Sequence, residues 1–234
     1  MVVPVFNEAL KVGPCIAVLS SFISAHRENL DWHVVIADNG STDGTGAAVR
    51  KLIGEHPLFS YVYSATPGRG GALRRTWEDA ATTLVGYMDV DLSTDPESFL
   101  ALVAAIEHGA GIAVGSRLLP NSKTQRSLLR SFLSRCYNLL LKLLFRVRFT
   151  DAQCGCKALS SDWSRSLLPT VNDNHWFFDS ELLVRAERFG CKIQEIPVTW
   201  KENTDSRVRI FRTVLHFISG LAKLRVELWL NRQR

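Results

Sequence analysis

Through the first half of the chain, short apolar runs alternate with longer stretches of helical periodicity. Val2–Phe6, His33–Asp38, Phe59–Tyr63, Leu84–Val90 and Gly111–Gly115 predict buried strands. Ala9–His26, Asp43–Glu55, Gly71–Ala81 and Pro96–Glu107 predict the helices between them, each element bounded by Gly, Asp, Asn or Pro. Strands that alternate with helices of this length form βαβ units, so the expected fold is α/β with a mainly parallel central sheet flanked by helices. Ligands on such sheets bind beyond the carboxyl ends of the strands. The loops there carry Pro4-x-x-Asn7-Glu8, Asp38-Asn39-Gly40-Ser41, Gly68-Arg69-Gly70-Gly71 and Asp89-Val90-Asp91.

The second half changes character. Apart from a strand at Ile193–Val198, it is dominated by two long amphipathic segments. Arg126–Phe145 spaces Leu128, Leu129, Phe132, Leu133, Tyr137, Leu140, Leu141, Leu144 and Phe145 helically among Arg130, Arg135, Lys142 and Arg146. Arg209–Leu230 puts Ile210, Phe211, Val214, Phe217, Ile218, Leu221, Leu224 and Leu228 on one stripe, away from Arg212, Lys223 and Arg225. Such stripes either pack on a core with their charges solvated, or lie in the headgroup layer of anionic lipid.

Charge sharpens this division. The 234 residues carry +5 formally, but Arg117–Lys157 alone contributes +8 and Asp205–Arg234 another +5, leaving −8 for everything else. An acidic body therefore bears two basic segments. Long aliphatic stripes run through those segments and no recognition motif is visible, which argues against nucleic acid as the partner. Five cysteines without scaffold spacing fit a reducing compartment, and Cys154-Gly155-Cys156 has no second Cys/His pair with which to hold zinc. No apolar run reaches about 18 residues, the length that spans a bilayer. The N-terminus has no signal-peptide pattern, although Met1 directly precedes a strand and a longer native start is compatible with that.

Among the loops, Asp89-Val90-Asp91 carries the strongest chemistry. Two carboxylates two residues apart, where a buried strand opens into a loop, can reach one hard cation, and oxygen ligands select Mg²⁺ or Mn²⁺. Asp38 offers an acceptor for base or ribose donors, or simply shapes a turn capped by Ser41 or Thr42. Gly68-Arg69-Gly70-Gly71 offers backbone N–H donors and a cation at a helix start, without the ending of a Walker loop or the spacing of a dinucleotide fingerprint. His175 beside Trp176 precedes an acidic motif, and Trp200-Lys201-Glu202 either lines the site or ends a sheet. The remaining histidines form no constellation.

In this order, Val3-Pro4-Val5-Phe6-Asn7-Glu8-Ala9, Asp38-Asn39-Gly40-Ser41-Thr42-Asp43-Gly44-Thr45, Gly68-Arg69-Gly70-Gly71-Ala72, Asp89-Val90-Asp91-Leu92-Ser93 and Gly115-Ser116-Arg117 resemble the family 2 inverting glycosyltransferases of GT-A fold. Gln125-Arg126-Ser127-x-x-Arg130, Asp151–Lys157 and Trp176–Leu183 resemble its polyprenyl-phosphate branch, in particular the dolichyl-phosphate β-glucosyltransferases, with the mannose synthases as near relatives. The resemblance implies a UDP-sugar donor, a polyprenyl phosphate acceptor and a Mg²⁺ or Mn²⁺ cofactor on Asp89 and Asp91. It gives donor contacts to Pro4, Asn7, Glu8, Asp38, Arg69, Asp89, Asp179 and Glu181, and to Ser206 and Arg207 in a loop near the donor. Arg117, Arg130 and Lys157 match basic positions associated with the acceptor phosphate, and together with Asp91 make up the expected catalytic set. Two departures stand out: Asn39 replaces a second acid, and Ser93 stands where mannose synthases tend to carry a metal-contacting Gln, which favours glucose over GDP-mannose.

The resemblance divides the chain into a nucleotide-sugar part (1–116), an acceptor part (117–204) and a basic amphipathic helix at the membrane surface (205–234). It implies a peripheral protein on the cytoplasmic face of a membrane, and it admits a separate membrane-anchoring subunit. A phosphate acceptor also suits the basic segments. A phosphate monoester, with a second pKa of about 6, is already largely a dianion at neutral pH. No general base is then required of the enzyme. Instead it must bring a dianion up to a nucleotide diphosphate and hold it in line.

Overall fold

The computed structural model describes residues 1–28, 30–202 and 210–230. A seven-stranded sheet is built from β1 (Val2–Val5), β2 (Val34–Asp38), β3 (Phe59–Tyr63), β4 (Leu84–Met88), β5 (Ile112–Ser116), β7 (Cys156–Ser160) and β8 (Ile193–Pro197), in the order β3-β2-β1-β4-β7-β5-β8. All neighbours run parallel except β7, which is antiparallel to both β4 and β5. A separate parallel pair joins β6 (Lys123–Gln125) to β9 (Thr199–Lys201). The helices are α1 (Val12–Ala25), α2 (Thr45–Ile53), α3 (Arg69–Glu78), α4 (Glu97–Glu107), α5 (Leu128–Phe145), α6 (Ser161–Leu167), α7 (Phe178–Arg188) and α8 (Ile210–Leu230).

Apart from the edge strand β3, whose Val62 and Tyr63 are exposed, the predicted strands form because their apolar runs are covered on both faces. One buried cluster places Val3, Val5, Ile36, Met88 and Ala113 against Ile16, Leu19 and Leu102. The other places Val2, Tyr87, Ile112 and Leu159 against Trp77, Leu182, Leu183 and Leu221. The order of strand addition reverses at β1, with β2 and β3 laid down on one side and β4 on the other, so the crevice at the carboxyl ends of β1 and β4 is the topological switch point, where ligands of such sheets bind. Pro4, which has no N–H to give a ladder, is buried in β1 two residues after the Val2–Tyr87 register.

β7 was not legible as a strand. Lys157 interrupts its apolar run, yet that side chain is fully buried, because its charge is met inside the protein.

The two amphipathic helices behave differently. α8 packs Phe217, Leu221, Leu224 and Leu228 into the core. α5 buries only Ser134, Asn138, Leu141 and Phe145, while Leu128, Leu129, Phe132, Leu139 and Leu143 face outward, Leu128 at 89% exposure and Phe132 at 63%. Val214, Ile218 and Trp229 of α8 are exposed as well. Core packing therefore accounts for only part of each stripe: Phe217, Leu221, Leu224 and Leu228 in α8, and Leu141 and Phe145 at the end of α5, while Leu128, Leu129, Phe132 and Leu133 at its start are left exposed. No helix among the described residues is long and apolar enough to cross a membrane.

Candidate active site

The loops after β1 and β2 form one platform. Asn7, with a left-handed φ of 56°, donates its N–H to the Ser41 hydroxyl at 2.9 Å, and its Oδ1 accepts from Thr42 N at 2.8 Å. Glu8 N donates to Thr45 Oγ1 at 2.9 Å, while the Glu8 carboxylate pairs with Lys11 at 3.3 Å. Asn39, buried, donates Nδ2–H to the Val5 carbonyl at 2.6 Å and accepts from Gly68 N at 3.2 Å. An aspartate there could not donate to Val5, which gives the Asn a structural reason that the sequence did not reveal.

Asp38 is turned inward. It is 2% exposed, and its carboxylate accepts from Ser41 N at 2.9 Å and from the Tyr61 hydroxyl at 2.8 Å. The direct ribose or base contact expected of it is not open to a ligand here. The Gly-rich loop likewise serves packing more than anion binding. Gly71 N donates to the Asn174 carbonyl at 2.9 Å, and a Cβ on Gly70 would stand 2.5 Å from that of Phe178.

At the end of β4, Asp89 and Asp91 lie in a tight turn closed by Leu92, which donates its N–H to the Asp89 carbonyl at 3.0 Å and takes a φ of 46°. Asp91 accepts from Ser93 N at 3.0 Å, while the Asp89 side chain remains 41% exposed. Burial raises the Asp89 pKa, Arg69 opposes that shift and Asp91 adds to it. Two carboxylates that repel each other across an opening, with oxygen as the only donor atom, suit a hard divalent cation. The Gly between Cys154 and Cys156 explains that motif without a metal: a Cβ on Gly155 would overlap the Asp89 carboxylate.

Arg69 bridges the acids. Its Nη2 donates to Asp89 at 2.8 Å and its Nη1 to Asp179, while its guanidinium lies over the rings of Tyr87 (4.6 Å) and Trp176 (5.3 Å). Asp179 also accepts from the Tyr87 hydroxyl at 2.6 Å and pairs with Lys157 at 3.1 Å. Burial alone would raise the Asp179 pKa, but Lys157, Arg69 and Tyr87 together hold it below the ordinary carboxylate range.

Two expected contacts are corrected by this geometry. The Lys157 ammonium meets Asp179, the Tyr87 oxygen at 3.0 Å and the Cys154 carbonyl at 2.6 Å, so its three donors are used and none faces an acceptor phosphate. Glu181 follows Asp179 by two residues, a rotation of about 200° around the helix. It therefore points away from the site, bonding Arg185 at 2.7 Å and Asp173 N at 2.9 Å; Arg185 in turn ties α7 to Glu227 of α8 at 2.8 Å.

On the other side of the crevice, Arg117 makes a two-pronged contact with the fully buried Asp151, at 2.7 and 2.8 Å. Burial works against both charges, yet each holds the other ionised: the Arg117 pKa is raised and that of Asp151 lowered. Arg130 pairs with Glu202 at 2.9 Å. Trp200 lines this region, bridging to Thr94 just beyond the acid pair, with the guanidinium groups of Arg117 and Arg126 at 5.6 and 5.5 Å from its ring. His175 is held through its N–H to Asp173 at 2.7 Å, beside His216. Ser206 and Arg207 lie outside the described residues.

An α/β sheet with paired acids at its switch point and arginines across the crevice suits a metal-bound, negatively charged ligand. Glycosyl transferase family 2 matches residues 1–168, and the chain belongs to that family. It is 36% identical over 221 residues to glycosyltransferase AglD of Haloferax volcanii, covering 92% of this chain and 35% of that protein, so the chain spans about a third of that relative. With dolichyl-phosphate beta-glucosyltransferase ALG5C of Trichomonas vaginalis it shares 27% identity over 97% of this chain and 68% of the other. A polyprenol monophosphomannose synthase of Mycolicibacterium smegmatis is 27% identical over 86% of this chain and 77% of the other. The fold is that of glucosyl-3-phosphoglycerate synthase from Mycobacterium tuberculosis, solved with UDP: TM-score 0.73 at 19% identity, covering 96% of this chain and 78% of that one. The expected GT-A architecture is thus present.

Proposed function

We propose that the chain transfers glucose, with inversion, from UDP-glucose to a polyprenyl phosphate of the dolichyl type. The observation that carries this reading is the first part of α5: Arg130, beside the site, shares its helix with the outward-facing Leu128, Leu129, Phe132 and Leu133. A water-soluble acceptor needs no apolar surface next to its phosphate, whereas a prenyl chain does. The names of the dolichyl-phosphate β-glucosyltransferase relatives support the same acceptor.

In this reading the donor lies across the platform of Asn7 and Glu8, with the main chain around Pro4 and the inward-turned Asp38 shaping the bed beneath it. Asp89 and Asp91 would hold Mg²⁺ or Mn²⁺, the latter being present with UDP-glucose in a solved structure of the mycobacterial synthase. Such a cation neutralises the departing diphosphate. Arg69, poised on Asp89, supplies a further positive charge on the donor side. Arg117, fixed by Asp151, and Arg130 set a positive field in which the acceptor dianion approaches the anomeric carbon in line. Lys157 and Tyr87 keep Asp179 ionised, so that Arg69 stays in place. Placement at the cytoplasmic face of a membrane belongs to the same reading, through the exposed faces of α5 and α8.

A GDP-mannose donor is the competing possibility, favoured by the mannose synthase relative. Against it stands Ser93, which the fold tucks behind Asp91 with its hydroxyl buried and without a partner among the described residues. Thermal stabilisation in the presence of Mn²⁺ separates the two, since a ligand that binds only the native state raises apparent stability. UDP should raise Tm by several degrees more than GDP at equal concentration. The reverse order would move the donor assignment to GDP-mannose.

A further inference from the structure

Strand β8 breaks its own apolar pattern. Ile193 packs against one buried cluster and Ile196 against the other, and successive side chains of a strand alternate between faces, so the face of Ile193 should carry another apolar side chain at position 195. Glu195 stands there, partly buried. Its carboxylate accepts from the Thr150 N–H at 2.9 Å, the Thr150 hydroxyl at 2.7 Å and the Asp151 N–H at 3.0 Å. β8 runs parallel to β5 with Glu195 opposite Val114, two residues before β5 ends at Ser116 and the chain passes to Arg117.

Those three bonds fix what lies beyond them. With its proton given to Glu195, the Thr150 hydroxyl is left to accept from the Ser116 hydroxyl, 3.1 Å away. Asp151 accepts from the Arg117 N–H at 3.0 Å as well as from both prongs of its guanidinium. Two consecutive residues are thus tied to Ser116 and Arg117, and the main-chain N–H groups of both end on one carboxylate. Residues 150 and 151 belong to no strand, so no sheet ladder satisfies these N–H groups, and an unanswered buried donor is costly. A carboxylate, which only accepts, answers three donors at once. An amide of the same shape would turn its NH2 against one of them. Glu187 makes a useful contrast: both of its oxygens accept from Arg148 N, at 2.8 and 3.0 Å, so it supports the same segment three residues short of Asp151.

We infer that Glu195 is a positioning residue for the transfer: by holding the main chain of Thr150 and Asp151, it sets where the Arg117 guanidinium stands in the crevice. It acts through Asp151 and binds neither substrate itself. The inference deepens the proposed function and rests on it for the part that Arg117 plays, while the placement of Arg117 can be measured without turnover.

The test compares Glu195→Gln with Glu187→Gln in the full chain. Phenylglyoxal labels accessible guanidinium groups, and peptide mass spectrometry reads the rate at Arg117 against the exposed Arg135 as internal reference. Arg117, its side chain 9% exposed, should react slowly in the wild type and about fivefold faster or more in Glu195→Gln, the equivalent of losing one hydrogen bond of support. In turnover with Mn²⁺, UDP-glucose and a short-chain prenyl phosphate, kcat/KM for the acceptor should fall about 10- to 100-fold, the scale set by a small misplacement near the reacting atoms. The KM for UDP-glucose and the stabilisation by UDP should stay at their wild-type values. Glu187→Gln should leave the labelling and both KM values unchanged, although it too takes a carboxylate from a main-chain N–H. Thr150→Val, which removes one of the three donors, should shift both readouts in the same direction by less, and it decides the matter should Glu195→Gln fail to fold. Unchanged Arg117 labelling in Glu195→Gln overturns the assignment, as does an unchanged acceptor kcat/KM. An equal effect of Glu187→Gln overturns it too, since both acids would then be plain supports of the segment. A wild type that transfers nothing to prenyl phosphate, with Arg117 labelling still quickened in Glu195→Gln, leaves Glu195 holding Arg117 and overturns the acceptor reading instead.

Discussion

The Arg69 guanidinium donates to the Asp89 carboxylate at 2.8 Å, so one oxygen of the acid pair at the end of β4 is already engaged by a cation of the protein itself. A divalent ion must share or displace that contact. Arg69→Ala should therefore bind Mn²⁺ about fivefold more tightly, an effect near 1 kcal/mol once the exposure of Asp89 is allowed for. Turnover at saturating metal should nonetheless fall, because the donor side has lost a positive charge. Electron paramagnetic resonance of free Mn²⁺ gives the affinity, and weaker binding in the variant would show that Arg69 supports the metal instead of competing with it.

Gly155 sets how closely β7 approaches Asp89. A Cβ there would meet the carboxylate directly. Gly155→Ala should push Asp89 off its position and lower turnover at least about tenfold, with an overpacking cost to stability of about 1–3 kcal/mol. Circular dichroism should still report a folded protein. Full activity in this variant would mean that Asp89 is not held where the chemistry needs it.

Asp151 and Arg117 form a buried pair whose two sides are unequal in what they leave behind. Asp151→Asn strands a buried guanidinium and should destabilise the fold by about 3–5 kcal/mol at neutral pH. Burial would raise the Asp151 pKa, but Arg117 overrides it and holds the folded value below the ordinary one. A carboxyl lowered on folding stabilises the native state above its unfolded value, about 3.9, and that stability is lost as pH falls through the folded value. The difference in unfolding free energy between wild type and Asp151→Asn should accordingly hold through neutral pH and narrow below about pH 4. A gap that does not change with acidification contradicts the ion-pair account.

The outward face of α5 makes a prediction about lipid. Flotation with anionic vesicles should carry the protein at low salt and release much of it at about 0.5 M salt, where charge interactions are screened within a few ångströms. Replacing Leu128 and Phe132 together by Ser should weaken binding about tenfold or more even at low salt, given roughly 1.5–3 kcal/mol for each buried large apolar side chain. These positions are exposed in the fold, so stability should change little. Equal flotation of wild type and variant would assign that face to another partner.

Much of this arrangement was legible in the sequence, for a physical reason in each case. The strands at Val2–Val5, Val34–Asp38, Leu84–Met88 and Ile112–Ser116 are apolar runs that burial on both faces explains, Phe59–Tyr63 is the edge strand beside them, and their order dictated where the site lies. Asp89 and Asp91 announced themselves by standing at a strand end. Side-chain direction was what the sequence hid. Glu181 reads as a partner of Asp179 until the helix turns it toward Arg185. Lys157 reads as a cation for the acceptor phosphate because a buried lysine makes sense only once Asp179, Tyr87 and the Cys154 carbonyl are assembled around it. Asn39 looked like a lost acid, and its two bonds to Val5 and Gly68 show why an amide is needed.

The central claim is the transfer itself, and a single competition tests it most directly. The purified chain, with Mn²⁺, a short-chain prenyl phosphate and equal concentrations of UDP-glucose and GDP-mannose, should yield a glucosyl prenyl phosphate with β configuration at the anomeric carbon by NMR. Incorporation of mannose, an α-linked product, or hydrolysis of UDP-glucose without transfer to the prenyl phosphate would contradict it.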